Sequence, residues 1–311
     1  MSQTYAAEHM PPPPQTLSPE ARNQIAMMTA ALPAELPDIQ VMRGFAEQMQ
    51  TVLGAEQRKA HAVDVVEATL AGVPVRRITR SGGDVVRGKV LMNLHGGGFA
   101  TDSGSLSENI PIAAITGIEV IAVIYRLAPE HPFPAAVDDA LAVYKALLET
   151  HQPGDIAVYG TSAGGVLGPQ LMMRLQKEGL PLPAALGVFS GEPDLAGIAD
   201  SLNIFAGRME AQVLIDAKRD YVGAADPRDP LLSPINGDLS GFPPTLLVSS
   251  GRDVLLSGTA NLGRALIDAG VDAQLVVYDA LPHAFWATML APECEEAFRR
   301  MSRFFTARLG V

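Results

Sequence analysis

Gly160-Thr161-Ser162-Ala163-Gly164 reads G-x-S-x-G, and the segments on either side of it decide the fold. Upstream, Asp155-Ile156-Ala157-Val158-Tyr159 is a short apolar run with β-branched residues, the pattern of a buried strand. Downstream, Val166, Leu167, Leu171, Met172 and Leu175 recur at helical spacing, with Lys177 and Glu178 before Gly179. Ser162 therefore falls on a sharp strand-to-helix turn. Strand and helix approach closely there, so small residues are needed on both sides, and a strained backbone exposes the serine hydroxyl. The five letters alone are weak, since roughly one chain in ten of this length carries them by chance at ordinary Gly and Ser usage. Their setting makes Ser162 a candidate nucleophile.

The alternation extends outward in both directions. Strand patterns begin near Val63 and recur over 75–79, 89–94, 120–124, 184–189, 245–249 and 273–278. Helical patterns fall over 106–116, 135–149, 257–269 and 292–309. Strands alternating with helices of this length imply an α/β fold with a mostly parallel central sheet and helices on both faces. Two helices precede any strand. One starts at Ser18-Pro19-Glu20, with Ile25, Met28 and Leu32 as its apolar positions; the other spans 38–54. They are either packing helices or part of a cap. Residues 194–234 interrupt the alternation and are a candidate lid, and no internal repeat is present. The expected division is a helical arm over 1–55 and a catalytic domain over 56–311. Pro11 to Pro14 cannot be helical and predict an extended or mobile arm.

Composition narrows the function classes. The chain has 311 residues, 48% hydrophobic and 18% charged, which suits one large globular domain. A formal net charge of -11 argues against nucleic acid or an anionic membrane as partner. Cys294 is the single cysteine, so neither an internal disulfide nor a thiolate zinc site can form. Its acidic neighbours Glu293, Glu295 and Glu296 disfavour a thiolate nucleophile. The first fifteen residues lack the basic and apolar regions of a signal peptide, and the apolar stretch 110–125 contains Pro111, Gly117 and Glu119. A cytoplasmic enzyme is the expectation.

A nucleophilic serine needs a base, and six histidines are available: His9, His61, His95, His131, His151 and His283. Open α/β sheets carry their sites at the C-terminal strand ends, which leaves His95, His131 and His283. Only His283 lies downstream of Ser162, in a loop after the last strand, and the order serine, acid, histidine suits this fold. The acid is Asp253, at the end of the penultimate strand, with Asp194 as its rival. His95-Gly96-Gly97-Gly98-Phe99 also follows a strand. Three glycines in a row forfeit backbone entropy unless N–H groups must point at something close. An oxyanion hole supplies that reason, with Gly97, Gly98 and Ala163 donating and the His95 ring orienting the loop. A phosphate cradle would place a Lys and a Ser or Thr at fixed offsets, and none follows.

Together these residues resemble the hormone-sensitive-lipase-like (family IV) carboxylesterases of the α/β-hydrolase fold, over about residues 89–305. The resemblance rests on His95 to Gly98, on Tyr125-Arg126-Leu127-Ala128-Pro129-Glu130 with Phe133-Pro134-Ala135-Ala136, on Gly160 to Gly165, and on Leu281-Pro282-His283-Ala284-Phe285. It departs around the acid, where the family's D-P-L-x-D is replaced by Asp253-Val254-Leu255-Leu256-Ser257. The resemblance implies a two-part helical cap, no cofactor or metal, short-chain acyl esters as substrates and, in many members, a homodimer. A lactone hydrolase or acyltransferase could use the same residues. A non-catalytic small-molecule receptor on this scaffold would be expected to lose a triad member, commonly the histidine, and His283 is present.

Overall fold

The structure, a computed structural model, describes residues 10–30, 38–206 and 208–311. Leu32 and His9 lie outside the described residues. Helices α1 (Pro19–Ala30) and α2 (Ile39–Ala60) come first. Asp38 caps α2 by accepting the Gln40 N–H at 2.8 Å. Then follow β1 (Val63–Leu70), β2 (Val73–Arg80), β3 (Val86–Leu94), α3 (Asn109–Thr116), β4 (Ile118–Val123) and α4 (Ala135–Leu148). The chain continues through β5 (Ile156–Thr161), α5 (Ala163–Glu178), β6 (Ala185–Phe189), α6 (Asp200–Phe205) and α7 (Arg208–Val222). It ends with β7 (Thr245–Arg252), α8 (Leu256–Asp268), β8 (Ala273–Pro282), α9 (Phe285–Thr288) and α10 (Pro292–Leu309).

The eight strands form one sheet in the order β1-β2-β4-β3-β5-β6-β7-β8. The two pairings made by β2 are antiparallel and all others are parallel, so the sheet is mostly parallel, as the alternation predicts. Central strands are buried on both faces. Along β3, Val90, Met92 and Leu94 join one cluster with α4 and α5, while Leu91 joins the other with α3 and α10. Along β5, Val158 faces the first cluster and Ala157 and Tyr159 the second.

Register brings the strand ends that matter side by side. Leu94 pairs with Gly160, Thr161 with Phe189, and Arg252 with Pro282. The residues that follow these ends are the glycine loop, Ser162, Asp253 and His283. Close approach accounts for Gly164. A Cβ there would stand 1.7 Å from the Leu94 carbonyl oxygen, and one on Gly160 would stand 2.4 Å from the Gly164 backbone. Gly164→Ala is expected to destabilise the fold by about 3 kcal/mol, because backbone rather than a flexible side chain must move. Urea unfolding would show a lower midpoint; an unchanged midpoint would contradict this packing.

Both segments outside the alternation pack near those strand ends. From α2, Arg43 donates to the Ala100 and Ala128 carbonyls at 2.9 and 3.0 Å and pairs with Glu130 at 2.7 Å. From α7, Tyr221 stacks on Phe99 with ring centroids 3.7 Å apart and donates to buried Gln170 at 2.6 Å. The proline stretch is docked where it is described: Pro12 accepts from Arg252, Leu17 is buried, and Ser18 bonds Glu293 at 2.7 and 2.9 Å. These tertiary contacts hold extended backbone that makes no ladder of its own.

Candidate active site

Ser162, His283 and Asp253 stand in one hydrogen-bonded line. Ser162 Oγ lies 3.0 Å from His283 Nε2, and His283 Nδ1 lies 2.7 Å from Asp253 Oδ1. A carboxylate can only accept, so Nδ1 carries the proton and Nε2 is left to accept from the serine hydroxyl. Asp253 is fully buried and takes further donors: the Ser190 hydroxyl, the Ser249 hydroxyl at 2.7 Å and the Leu255 N–H at 2.9 Å. Burial works against its charge, yet His283, Ser190 and the Leu255 N–H together hold it below the usual carboxylate range. The rival Asp194 is placed elsewhere: its Oδ1 accepts the Ala196 N–H at 2.9 Å, and its carbonyl accepts from Lys218. Ser190 and Ser249 are support that sequence reasoning missed, since only the fold brings two serines from different strand ends onto one carboxylate.

The elbow has the strain its motif demands. Ser162 has φ 58° and ψ -115°, a conformation costing about 1–3 kcal/mol for a residue with a side chain. Its N–H donates to the Phe189 carbonyl at 2.8 Å, which ties the turn to the neighbouring strand. Gly97 and Gly98 have φ of 119° and 61°. Among the described residues, the N–H groups of Gly97, Gly98 and Ala163 find no protein acceptor. The helix α5 begins at Ala163, so its dipole adds positive character at the same spot. His95 is fully buried, stacks on Tyr125 at 4.1 Å, and places Nδ1 2.8 Å from the Gly96 carbonyl. Tyr125 donates to the His95 carbonyl at 2.7 Å, and the Ala128 N–H donates to Phe99 at 2.9 Å. The Tyr125 to Glu130 stretch therefore buttresses the glycine loop.

The other described candidates hydrogen-bond outside this line. His61 pairs with Glu295 at 2.6 Å, and His151 Nδ1 sits 2.9 Å from its neighbour Thr150. Cys294 is buried and its thiol is pushed up to about 12, with burial the leading cause and the acidic neighbours secondary. Among the described residues, no group of three His, Cys, Asp or Glu could hold a metal ion.

A cavity of about 50 Å³ opens beside Ser162, walled by Val166, Leu195, Leu202, Leu214 and Leu255 with Phe99 at one edge. Glu192 and Lys218 line it too. Burial pushes Glu192 up to about 7 and pulls Lys218 down, and each moderates the other's shift. Lys218 Nζ donates to the Asp194 carbonyl at 3.0 Å and to the Gly197 carbonyl, joining α7 to the loop after β6. Neither residue stands in a recognisable motif, so no local signal could have singled them out.

Comparison with known proteins decides the family. A model of the α/β-hydrolase fold matches residues 91–287. An acetyl-hydrolase of Streptomyces hygroscopicus is 35% identical over 234 residues, 72% of this chain and 77% of that one. The chain belongs to the hormone-sensitive-lipase-like carboxylesterases of the α/β-hydrolase fold. It is thus a carboxylic-ester hydrolase. An esterase of Acinetobacter venetianus is 31% identical over 230 residues, covering 70% of this chain and 75% of its own. The crystal structure of an esterase from the bacterial hormone-sensitive lipase family superposes with a TM-score of 0.80 at 31% identity, over 94% of this chain and 99% of that one. In this carboxylesterase, among the described residues, no helix is long and apolar enough to cross a membrane.

Proposed function

We propose that this carboxylesterase hydrolyses short-chain acyl esters through an acyl-enzyme on Ser162, with His283 as base, Asp253 as acid and the N–H groups of Gly97, Gly98 and Ala163 as oxyanion donors. The observation that carries the reading is the unbroken line from Ser162 Oγ through His283 to buried Asp253, at 3.0 and 2.7 Å. His283 Nε2 takes the hydroxyl proton as Ser162 Oγ bonds to the ester carbonyl carbon. The carbonyl oxygen becomes an oxyanion facing the three N–H groups, each worth on the order of 2.7–4 kcal/mol of transition-state stabilisation. The ester C–O bond then breaks, and His283 gives its proton to the departing alkoxide. Water attacks the acyl-enzyme by the same steps, releasing the acid and returning the proton to Ser162.

The cap follows from the same reading. Residues 1–55 and 194–234 are assigned to it, since Leu214, Ile215, Ala217 and Lys218 of α7 line the cavity and Arg43 of α2 holds the loop behind Phe99. The cavity beside Ser162 is small and lined mainly by apolar side chains, which suits a short acyl chain. A series of p-nitrophenyl esters tests this. Because p-nitrophenolate is a good leaving group, acylation should outrun deacylation, and the expected result is a p-nitrophenol burst of one equivalent per chain with the acetate and a kcat/KM that falls about tenfold from butyrate to octanoate. A palmitate preferred over acetate contradicts the acyl-length assignment, and turnover of every ester without a burst counts against slow deacylation.

A further inference from the structure

A second buried carboxyl stands behind the elbow and takes no part in the steps above. Glu108 immediately precedes α3 and is 1% exposed. Its Oε1 accepts from Asn93 Nδ2 at 2.6 Å. The Thr161 hydroxyl and the Trp286 indole N–H also stand against the carboxyl, and both favour its charged form. Its Oε2 makes no hydrogen bond of normal geometry, so Asn93 supplies the one well-formed hydrogen bond to the carboxyl. Trp286 Nε1 meanwhile donates to Thr161 Oγ1 at 3.2 Å, which leaves the Thr161 proton free to point at Glu108.

The three residues lie on β3, β5 and α9, each next to a different loop of the site. Asn93 lies two residues before His95 and the glycines, Thr161 immediately precedes Ser162, and Trp286 lies three residues after His283. Asn93 is itself fixed, since its Oδ1 accepts from Asn109 at 2.9 Å and Asn109 accepts from Tyr159. Asn93 Nδ2 donates to one carboxyl oxygen and the Thr161 hydroxyl has a proton to offer the other, so an ionised carboxylate can accept from both.

We propose that Glu108 is a positioning residue that, in its ionised form, ties the glycine loop, the nucleophile elbow and the histidine loop together from behind. This rests on the reading that Ser162 and His283 do the chemistry.

Ionising Glu108 works against folding. Burial is the main influence and pushes it up to about 7. The charged and titratable groups around it offer no compensation. Asp102, beyond the glycine loop, is negative and held by Arg76 at 2.9 Å, with His95 Nδ1 at 3.7 Å. Tyr125 and Tyr159 are buried, and burial keeps both neutral. Among the described residues no Lys or Arg pairs with Glu108. A carboxyl raised from its ordinary 4.5 to about 7 stabilises the fold below the ordinary value and loses that contribution as pH rises through 7. A neutral amide at 108 therefore relieves the fold at pH 8 while removing the tie.

The test is Glu108→Gln, followed by kcat, KM and Tm across pH 5.5 to 9. Expected at pH 8 are a kcat about tenfold below wild type, a KM within twofold and a Tm no lower than wild type. The ratio of wild-type to variant kcat should converge toward one below pH 6, where both carry a neutral group; taking the ratio cancels the titration of His283. A ratio that stays flat with pH, or a Tm that falls along with kcat, overturns the proposal. Should Glu108→Gln not fold, Thr161→Val removes the hydroxyl link instead and is expected to give the same convergence, with a flat ratio again contrary. Ser162→Ala separates the two readings. If that variant still turns over, the site assignment fails; if it is inactive while the Glu108→Gln ratio is flat, only the positioning role fails.

Discussion

Ser162→Ala is expected to lower kcat for p-nitrophenyl acetate by about 10⁶-fold, with the far-UV circular dichroism spectrum and Tm retained. The variant loses the one hydroxyl in line with His283 Nε2. It keeps what builds the elbow: the N–H at 162 still donates to the Phe189 carbonyl, and Gly160 and Gly164 still allow strand and helix to meet. Alanine also carries a Cβ, so the strain of the positive φ is unchanged. The remaining rate comes from the unpaired N–H groups beside the cavity and from His283 activating water, on the order of 10³–10⁴-fold over solution. A kcat within tenfold of wild type contradicts the assignment of the nucleophile.

Asp253→Asn should lower kcat by about 10⁴-fold while leaving KM within a few-fold. An amide nitrogen facing His283 Nδ1 is a donor against a donor, so the ring adopts the tautomer with its proton on Nε2 and no longer accepts from Ser162. Turning the amide oxygen toward Nδ1 makes the Ser190 and Ser249 hydroxyls accept instead of donate, and even then the neutral amide no longer stabilises the imidazolium that forms at His283. The change also touches stability. Asp253 is held below the usual carboxylate range when folded, so its charge stabilises the fold above that range and the contribution is lost as pH falls. Thermal unfolding should therefore show the variant less stable than wild type at neutral pH, with the gap closing in acid. A variant with wild-type kcat, or a gap independent of pH, counts against this role.

Much of the fold was legible because short apolar runs and helical runs alternate from β3 onward, apart from the interruption at 194–234. What the pattern missed is physical rather than accidental. The helix expected from 106 begins at Asn109, because 101–108 is a chain of turns whose polar side chains point inward to Asp102, Ser105 and Glu108. The last strand runs on to Pro282, because it borders only β7 and its pairing with Arg252 carries the chain to His283. Four-residue α9 is too short for any periodicity, yet it seats Trp286 against Thr161. The three loops of the site were legible from residue types with few other uses: consecutive glycines, a serine between glycines, a histidine after the last strand. The residues that steady them were not. Ser190, Ser249, Asn93 and Glu108 are ordinary polar residues until parallel strands in register bring them together. The choice between Asp194 and Asp253 likewise needed coordinates, since both follow strands that end on the same side of the sheet.

The most direct measurement is peptide mapping of the enzyme quenched in acid during the p-nitrophenyl acetate burst. The account predicts one acetyl group per chain, carried on the peptide containing Ser162, and none in Ser162→Ala. An acetyl group found on any other side chain, or full turnover with Ser162 never acetylated, would contradict it.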